Sequence, residues 1–138
     1  MTTLLAPTTI TTAVGNITSS TLQFRRGVPR NLTLEGIFTY GSGGTTIDAY
    51  VQTSIDGGST WVDIANFHFT TASAKAIYNL SSLTPKTTIV APTDGSLTGN
   101  TSVDGIIGTQ LRVKYSSTGT YAASTTVAIY ATSSDLTS

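Results

Sequence analysis

The chain contains 138 residues, and its seven Lys and Arg balance seven Asp and Glu, so its formal net charge is zero. This length predicts one domain with a single core. The absence of cysteine excludes disulfides, thiolate metal sites and thiol nucleophiles, and a single histidine, His68, excludes a multi-histidine metal site. The zero net charge argues against nucleic-acid binding, which depends on phosphate neutralisation. We therefore expect no cofactor, no metal and no nucleic-acid partner.

The surface chemistry points to association. Charged residues make up only 10% of the chain, against about 25% in ordinary domains. The chain has 29 Thr and 16 Ser, together 45 of its 138 residues. A hydroxyl-rich surface with little self-repulsion tolerates dense packing, which favours an assembled protein. A neutral secreted-type β domain is the alternative. Residues 1–15 lack the features of a secretory signal, and no apolar run approaches the ~20 residues of a membrane helix, so we expect no membrane partner.

All the predicted elements are strands, because Thr, Ser, Gly and β-branched residues dominate and period-two alternation is frequent. Residues 1–15 are predicted to form an N-terminal arm or an edge strand, with a short strand at 8–14. Further strands are predicted at residues 21–25, 32–40, 45–53, 60–70, 75–80, 87–91, 110–116 and 121–132. The Gly-rich turns at 41–44 and 56–59 predict that residues 32–70 form a three-stranded meander.

The alternation is clearest near the end of the chain. Leu111, Val113 and Tyr115 share one face, and Arg112 and Lys114 share the other. Eight or nine short strands joined by Gly-rich turns predict an all-β fold, an antiparallel β-sandwich or jelly roll without significant helix. Residues 16–138 are predicted to be a single β-sandwich domain.

The sharpest motif is the octapeptide SIDGGSTW at residues 54–61. It matches the Asp-box, Ser/Thr-x-Asp-x-Gly-x-Thr/Ser-Trp, at every fixed position. An Asp in such a turn accepts hydrogen bonds from the turn's own N–H groups, and a Gly supplies positive φ. The motif is a folding device, and one copy cannot form a sialidase-type propeller. We interpret it as a structural hairpin, with a glycan site as the alternative. Its residues are Ser54, Asp56, Gly58, Thr60 and Trp61.

Three segments are predicted to contact a partner. The arginines of the loop 25–30 form the only basic cluster, which is either solvated or an electrostatic anchor for an acidic protein. The long loop 84–104 is a second candidate, because long loops in small domains are often functional. The N-terminal arm is the third, through strand addition to a neighbour's sheet edge. The residues singled out are Arg25, Arg26, Arg30, Thr8, Ile10, Pro92 and Asp94.

The inventory for catalysis is thin. Glu35 and Asp48 lie on the polar faces of strands predicted to be neighbours, and a carboxylate pair is what a glycosidase requires. Solvated strand faces explain both residues better. Alternation places His68 opposite Phe67 and Phe69, as expected of a surface or interface histidine. We therefore predict that the protein is not an enzyme.

Residues 34–79 resemble a type of small protein encoded among the structural genes of tailed bacteriophages and prophages. The stretches that carry this resemblance are GSGGTT at 41–46, YVQTSIDGGSTW at 50–61 and DIANF at 63–67. LRVKY at 111–115 and GTY at 119–121 fit the same type. The resemblance covers half to two thirds of the chain and brings no catalytic residues with it.

This resemblance implies a virion structural protein assembled in the host bacterial cytoplasm. The leading expectation is a capsid decoration (cement) protein that binds the major capsid protein or other virion proteins and stabilises the shell. A homo-oligomer is expected, with a trimer as one arrangement. The first alternative is a head–tail connector, neck, tail or baseplate component. The second is a carbohydrate-binding β module that uses Tyr40, Tyr50 or Tyr121.

Overall fold

The computed structural model describes residues 1–133, so the last five residues of the predicted domain lie outside the described residues. Residues 1–133 contain eleven strands and no helix. This part of the chain accordingly has no helix that is long and apolar enough to span a membrane. The strands are β1 (Thr2–Thr9), β2 (Ile17–Thr18), β3 (Leu22–Gln23), β4 (Asn31–Thr39), β5 (Ser42–Gly43), β6 (Thr46–Ser54), β7 (Val62–Phe69), β8 (Ala74–Ser81), β9 (Gln110–Thr118), β10 (Tyr121–Ala122) and β11 (Thr126–Thr132).

The strands form two main antiparallel sheets in a sandwich-like arrangement. Sheet 1 has the order β1-β11-β4-β8. Sheet 2 has the order β2-β9-β6-β7, with β3 also paired to β9. The short strands β5 and β10 pair with each other separately. The predicted all-β antiparallel fold is confirmed, and the count exceeds eight or nine because β2, β3, β5 and β10 have only two residues each.

One hydrophobic core lies between the two sheets. The stacked rings of Phe38 in β4 and Phe69 in β7, 5.1 Å between centroids, join the sheets. A Cβ on Gly36 would lie 2.6 Å from Cδ1 of Phe67, so the Phe67 ring packs directly against the backbone of β4. Burying one such large side chain contributes about 1.5–3 kcal/mol. The alternation predicted in β9 is confirmed, because Leu111, Val113 and Tyr115 are buried.

The predicted three-stranded meander is wrong. β6 and β7 do form a hairpin, but β4 belongs to the other sheet, where it pairs with β11 and β8. The partner of β6 on its other side is β9. The chain changes sheets between residues 39 and 46, and the Gly-rich segment there forms β5 and pairs with β10.

Three other predicted strands differ from the structure. Residues 87–91 contain no strand and belong to the loop 82–109. The closing strand is divided into β10 and β11 by a turn in which Ala123 and Ser124 have positive φ. At the N-terminus the strand is residues 2–9 rather than 8–14, and it pairs with β11 of the same chain at the edge of sheet 1.

Candidate functional site

Loops from both sheets gather at one end of the sandwich. The antiparallel pairings place the start of β4 beside the end of β8, and the end of β6 beside the starts of β7 and β9. The segment that leads into β4 is joined to the second group, because Phe24 N–H donates to the carbonyl of Thr109 and Thr109 N–H donates to the carbonyl of Ser54. We define the loop end as residues 25–30, 55–61 and 82–92. It contains the basic cluster, the Asp-box hairpin and the first part of the long loop.

The three predicted contact arginines lie exposed at the loop end. Arg25, Arg26 and Arg30 are all exposed. Among residues 1–133 the ion pairs are His68–Asp48 and Lys114–Asp94, so no guanidinium of the cluster has a carboxylate partner within the described chain. The three charges are therefore available to an acidic surface.

The end of the loop 25–30 is held in place at Pro29 and Arg30. Ser82 N–H donates to the carbonyl of Arg30 at 3.0 Å, and the hydroxyl of Ser82 donates to the carbonyl of Pro29 at 2.6 Å. Pro29 itself is buried. A segment fixed in this way loses little conformational entropy when it binds, which applies here to Arg30.

Apolar side chains accompany the basic cluster. Val28, Ile55, Leu83 and Ile89 are 46%, 71%, 69% and 97% exposed, respectively. All four lie in the loop end, whereas the exposed large apolar residues elsewhere in the described chain are Met1, Ile17 and Ile77. Exposed apolar residues concentrated at one place are typical of a protein-binding surface.

The Asp-box forms the turn between β6 and β7. The N–H of Thr60 donates to Oδ1 of Asp56 at 2.9 Å, and the hydroxyl of Thr60 donates to Oδ2 at 2.6 Å. The hydroxyl of Ser54 donates to Oδ1 of Asp56 at 3.0 Å and accepts the N–H of Gly58 at 2.8 Å. Gly57 and Gly58 have φ of 75° and 97°, which L side chains rarely adopt. These polar groups bond to one another within the turn.

Hydrogen bonds lower the pKa of Asp56 from 3.8 to about 2, and the largest contribution comes from the Thr60 hydroxyl. The motif's aromatic residue does not enter the core. Trp61 is half-buried on the outer face of sheet 2, where the guanidinium of Arg112 lies 4.3 Å from the ring centroid. This cation–π contact joins the root of the hairpin to β9.

The long loop 82–109 is fastened to the outer face of sheet 2 by Asp63. This carboxylate is 3% exposed. Its Oδ2 accepts the Thr93 hydroxyl at 2.8 Å and three consecutive backbone N–H groups, which lie 2.8–3.1 Å away. Those N–H groups belong to Gly95, Ser96 and Leu97. Successive N–H groups aimed at one anion form a nest, and here the anion belongs to the same chain.

Buried polar side chains surround this attachment. Gln52, which is fully buried, donates to Oδ1 of Asp63 at 2.8 Å and to Oδ1 of Asp94 at 2.6 Å. The amide oxygen of Gln52, Oε1, accepts a hydrogen bond from the Nε–H of Arg112 at 2.8 Å. Lys114 Nζ lies 2.9 Å from Asp94, and hydrogen bonds from Lys114 and then Gln52 hold the pKa of Asp94 below its usual value.

Backbone bonds continue the attachment along β7. The N–H of Asn66 donates to the carbonyl of Thr101 at 2.9 Å, and the N–H of Val103 donates to the carbonyl of Ile64 at 2.8 Å. The loop therefore covers the outer edge of β7. Covering an edge strand removes a site at which other chains can pair.

Of the two loop residues predicted to contact a partner, Pro92 is exposed and lines a recess of about 240 Å³ with Ile55 and Val62. Asp94 is also exposed, but its carboxylate is already bonded to Lys114 and Gln52 within the chain. A partner that used Asp94 would have to compete with these two contacts.

Of the two contacts predicted in the N-terminal arm, that of Ile10 requires correction. Ile10 is 2% exposed and is part of the core, so it is not available to a partner. Thr8 pairs with Val127 of the same chain, and its hydroxyl donates to the carbonyl of Ala6 at 2.8 Å. The segment therefore belongs to its own sheet, because Leu4, Leu5 and Ile10 bury their side chains there.

The carboxylate pair considered as the glycosidase alternative is not formed. Glu35 lies in sheet 1 between Tyr130 and Ile77, whereas Asp48 lies in sheet 2. Asp48 instead contacts Nδ1 of His68 at 2.7 Å. No group of three or more His, Asp or Glu side chains that could hold a metal ion occurs in residues 1–133.

Two of the tyrosines suggested for a carbohydrate platform are buried. Tyr50 is 7% exposed and Tyr121 is 1% exposed, and burial is the largest cause that raises the pKa of each. The hydroxyl of Tyr121 donates to the carbonyl of Thr70 at 2.8 Å. Only Tyr40 is partly exposed, and its hydroxyl donates to the carbonyl of Gly43. These three residues do not form an exposed aromatic surface.

Sequence reasoning missed Asp63, Gln52 and Asn66 as the residues that organise the long loop. Asn66 is 1% exposed and its amide donates to the carbonyl of Leu97 at 2.8 Å. The available signal was a row of uncharged and acidic polar residues on one face of β6 and β7, opposite a loop rich in Thr, Asp, Gly and Ser. That signal is weak because solvated strand faces have the same composition.

A comparison with models of protein families found no match, and comparisons with curated protein sequences and with solved structures found none.

Proposed function

We propose that this chain is a non-enzymatic structural protein of a tailed-bacteriophage virion, namely a capsid decoration (cement) protein that binds the major capsid lattice. The observation that supports this proposal is the loop end. It combines three arginines that have no carboxylate partner within residues 1–133 with four exposed apolar side chains. The sequence resemblance supplies the virion setting, in which the protein assembles in the host bacterial cytoplasm and takes part in viral assembly.

The chemistry of the loop end suits attachment to a protein surface that is acidic at its rim and apolar at its centre. Arginine is favoured at interfaces because its planar guanidinium binds carboxylates bidentately. The exposed apolar residues supply the area that leaves water. Because the protein binds only the assembled lattice, each bound copy stabilises the shell by mass action.

Copy number tests the proposal. We expect quantitative mass spectrometry of purified particles to find this chain at about one copy per one to a few major capsid subunits. By contrast, symmetry limits a head–tail connector, neck, tail or baseplate component to roughly a dozen copies per particle, which is a much lower ratio to the major capsid protein. That lower ratio would favour the alternative, and absence from particles would overturn both.

The role of the arginines is tested on capsids that lack the protein. We expect Arg25→Ala/Arg26→Ala/Arg30→Ala to bind such capsids at least about tenfold more weakly, because three charge-assisted contacts are lost. Arg25→Lys/Arg26→Lys/Arg30→Lys is the matched control that keeps the charge. If both variants bind like the parent protein, the loop end is not the attachment surface.

A further inference from the structure

We propose that β8 pairs with the β8 of a second copy of this chain, so that two copies of sheet 1 join across a two-fold axis at Ile77. This inference does not depend on the virion assignment. It rests on the hydrogen-bonding pattern, the exposure and the charges along one sheet edge.

Among the described strands, β8 is the edge strand of more than two residues that pairs without a register shift. It pairs with β4 over eight consecutive positions without a register shift. The edge of β7 is covered by the long loop, as described above. β1, at the opposite edge of sheet 1, contains two register shifts and Pro7, and these features hinder pairing with another strand.

The direction of the free backbone groups follows from the register. Ser82 N–H donates to the carbonyl of Arg30, and these two residues form the next pair in the register beyond Asn31–Ser81. The pair Arg30–Ser82 is therefore a hydrogen-bonded pair. Bonded and non-bonded pairs alternate in an antiparallel ladder, so Leu80, Tyr78 and Ala76 bond to β4. The N–H and C=O groups of Lys75, Ile77 and Asn79 therefore point away from β4.

The end of the strand agrees with this assignment. The N–H of Ser81 points away from β4 and donates to Oδ1 of Asp104 at 2.7 Å. No backbone partner of this kind is present for Lys75, Ile77 or Asn79 in the described part of the chain. The side chains of these three residues are exposed, and Ile77 is 64% exposed.

The free groups match a second copy best when the axis passes through Ile77. In that register Ile77 lies opposite Ile77 of the second copy, and Lys75 lies opposite its Asn79. Each of these pairs exchanges two backbone hydrogen bonds. No like charges face each other, and the exposed Ile77 side chains come into contact.

Other registers are less favourable. An axis through Lys75 places two lysines directly opposite each other, which is destabilising across strands. An axis through Asn79 places Ile77 opposite Ser81, whose N–H is already bonded to Asp104. A two-fold contact between identical edges is closed, because each copy uses the same edge once. This edge therefore produces a dimer. The homo-oligomer expected from the sequence had a trimer as one arrangement.

Introducing a negative charge at the axis is the first test. Ile77→Glu places two new carboxylates opposite each other, flanked in the same row by Glu35 of each copy. We expect analytical ultracentrifugation to find a dimer for the parent protein and a monomer for this variant. Mixing it with Ile77→Lys restores a heterodimer. Ile89→Glu, at a fully exposed loop position, is the control that leaves the dimer intact. Unchanged circular dichroism of Ile77→Glu shows that the monomer is folded.

A single cysteine tests the register, since the chain has no cysteine of its own. The two Cα atoms of a bonded antiparallel pair lie about 5.5 Å apart, within the range of about 4.4–6.8 Å that a disulfide requires. We expect Ile77→Cys to form a covalent dimer under mild oxidation. Asn79→Cys alone does not form one, because position 79 of one copy lies about 14 Å along the strands from position 79 of the other. A mixture of Asn79→Cys and Lys75→Cys does form a disulfide between the two variants.

Either of two results would overturn the proposal. One is a parent protein that is monomeric at every concentration. The other is a dimer that persists in Ile77→Glu, which would place the contact elsewhere on the molecule.

Discussion

Replacing Asp63 by asparagine should release the long loop from sheet 2. Oδ2 of Asp63 accepts four hydrogen bonds from the segment 93–97, and Oδ1 accepts the amide of Gln52 and, at 2.9 Å, the shared N–H of Gly95. Asparagine has nearly the same shape but only one acceptor oxygen. If that oxygen takes the place of Oδ2, the new NH₂ group faces the Nε2 donor of Gln52. If it takes the place of Oδ1, the Thr93 hydroxyl and the N–H groups of Ser96 and Leu97 lose their acceptor, and only the N–H of Gly95 keeps one.

The size of the effect follows from these contacts. A hydrogen bond to a charged group contributes about 1.5–3 kcal/mol, and an unpaired buried donor costs about 1–3 kcal/mol. The less costly orientation keeps the oxygen at the Oδ2 position. It loses the negative charge and places the new NH₂ group against the Nε2 donor of Gln52. We therefore expect Asp63→Asn to lower the free energy of unfolding by about 2–4 kcal/mol. At roughly 3–4 °C per kcal/mol for a chain of this size, the Tm falls by about 6–16 °C.

Urea unfolding and native-state hydrogen exchange measure the two parts of this prediction. The backbone N–H groups of Gly95, Ser96 and Leu97 should exchange faster in Asp63→Asn. Asp94→Asn is the matched control because it removes one carboxylate from the same network at an exposed position. It should cost less than about 1 kcal/mol, as exposed ion pairs do. Equal losses in the two variants would refute the assignment of Asp63 as the fastening point.

The remaining predictions concern the Asp-box and the core. Because hydrogen bonds lower the folded pKa of Asp56 from 3.8 to about 2, the hairpin stabilisation is complete above pH 3.8 and is lost as pH falls towards 2. NMR titration should find its midpoint near 2, and Thr60→Val should raise it; an unchanged midpoint in Thr60→Val would contradict the assigned cause. Gly36→Ala should lower the free energy of unfolding by about 1–3 kcal/mol, since its Cβ would meet the Phe67 ring in a packed core. Gly15→Ala is the control, because its Cβ meets no atom within 4 Å, and similar chemical-denaturation midpoints for the two variants would contradict this packing.

The Asp-box was predictable because its bonds are local. Ser54, Asp56 and Thr60 lie within seven positions of one another, and the hydrogen bonds of their side chains link residues of the turn itself. The inner and outer faces of β9 were predictable for a related reason. The period-two pattern is a property of one strand, and it is the same whichever strand lies beside it.

The partner surface was only partly predictable. Arg25, Arg26 and Arg30 are exposed, as charged residues of a loop usually are. The exposed apolar residues that accompany them come from three loops that are distant in sequence, so their concentration at one end emerges only from the fold. The sequence predicts surface positions for Ile10, Tyr50 and Tyr121, but all three are buried because tertiary packing covers them.

The residue pattern therefore specified an all-β chain, the faces of its strands and one self-contained turn. Tertiary structure alone decided which strands are neighbours, that the long loop is fastened by Asp63, and that β8 is left open. The physical reason is that alternation and turn bonds act over a few residues. Strand pairing instead minimises the free energy of one shared core, to which residues far apart in sequence, such as Phe38 and Val127, contribute together.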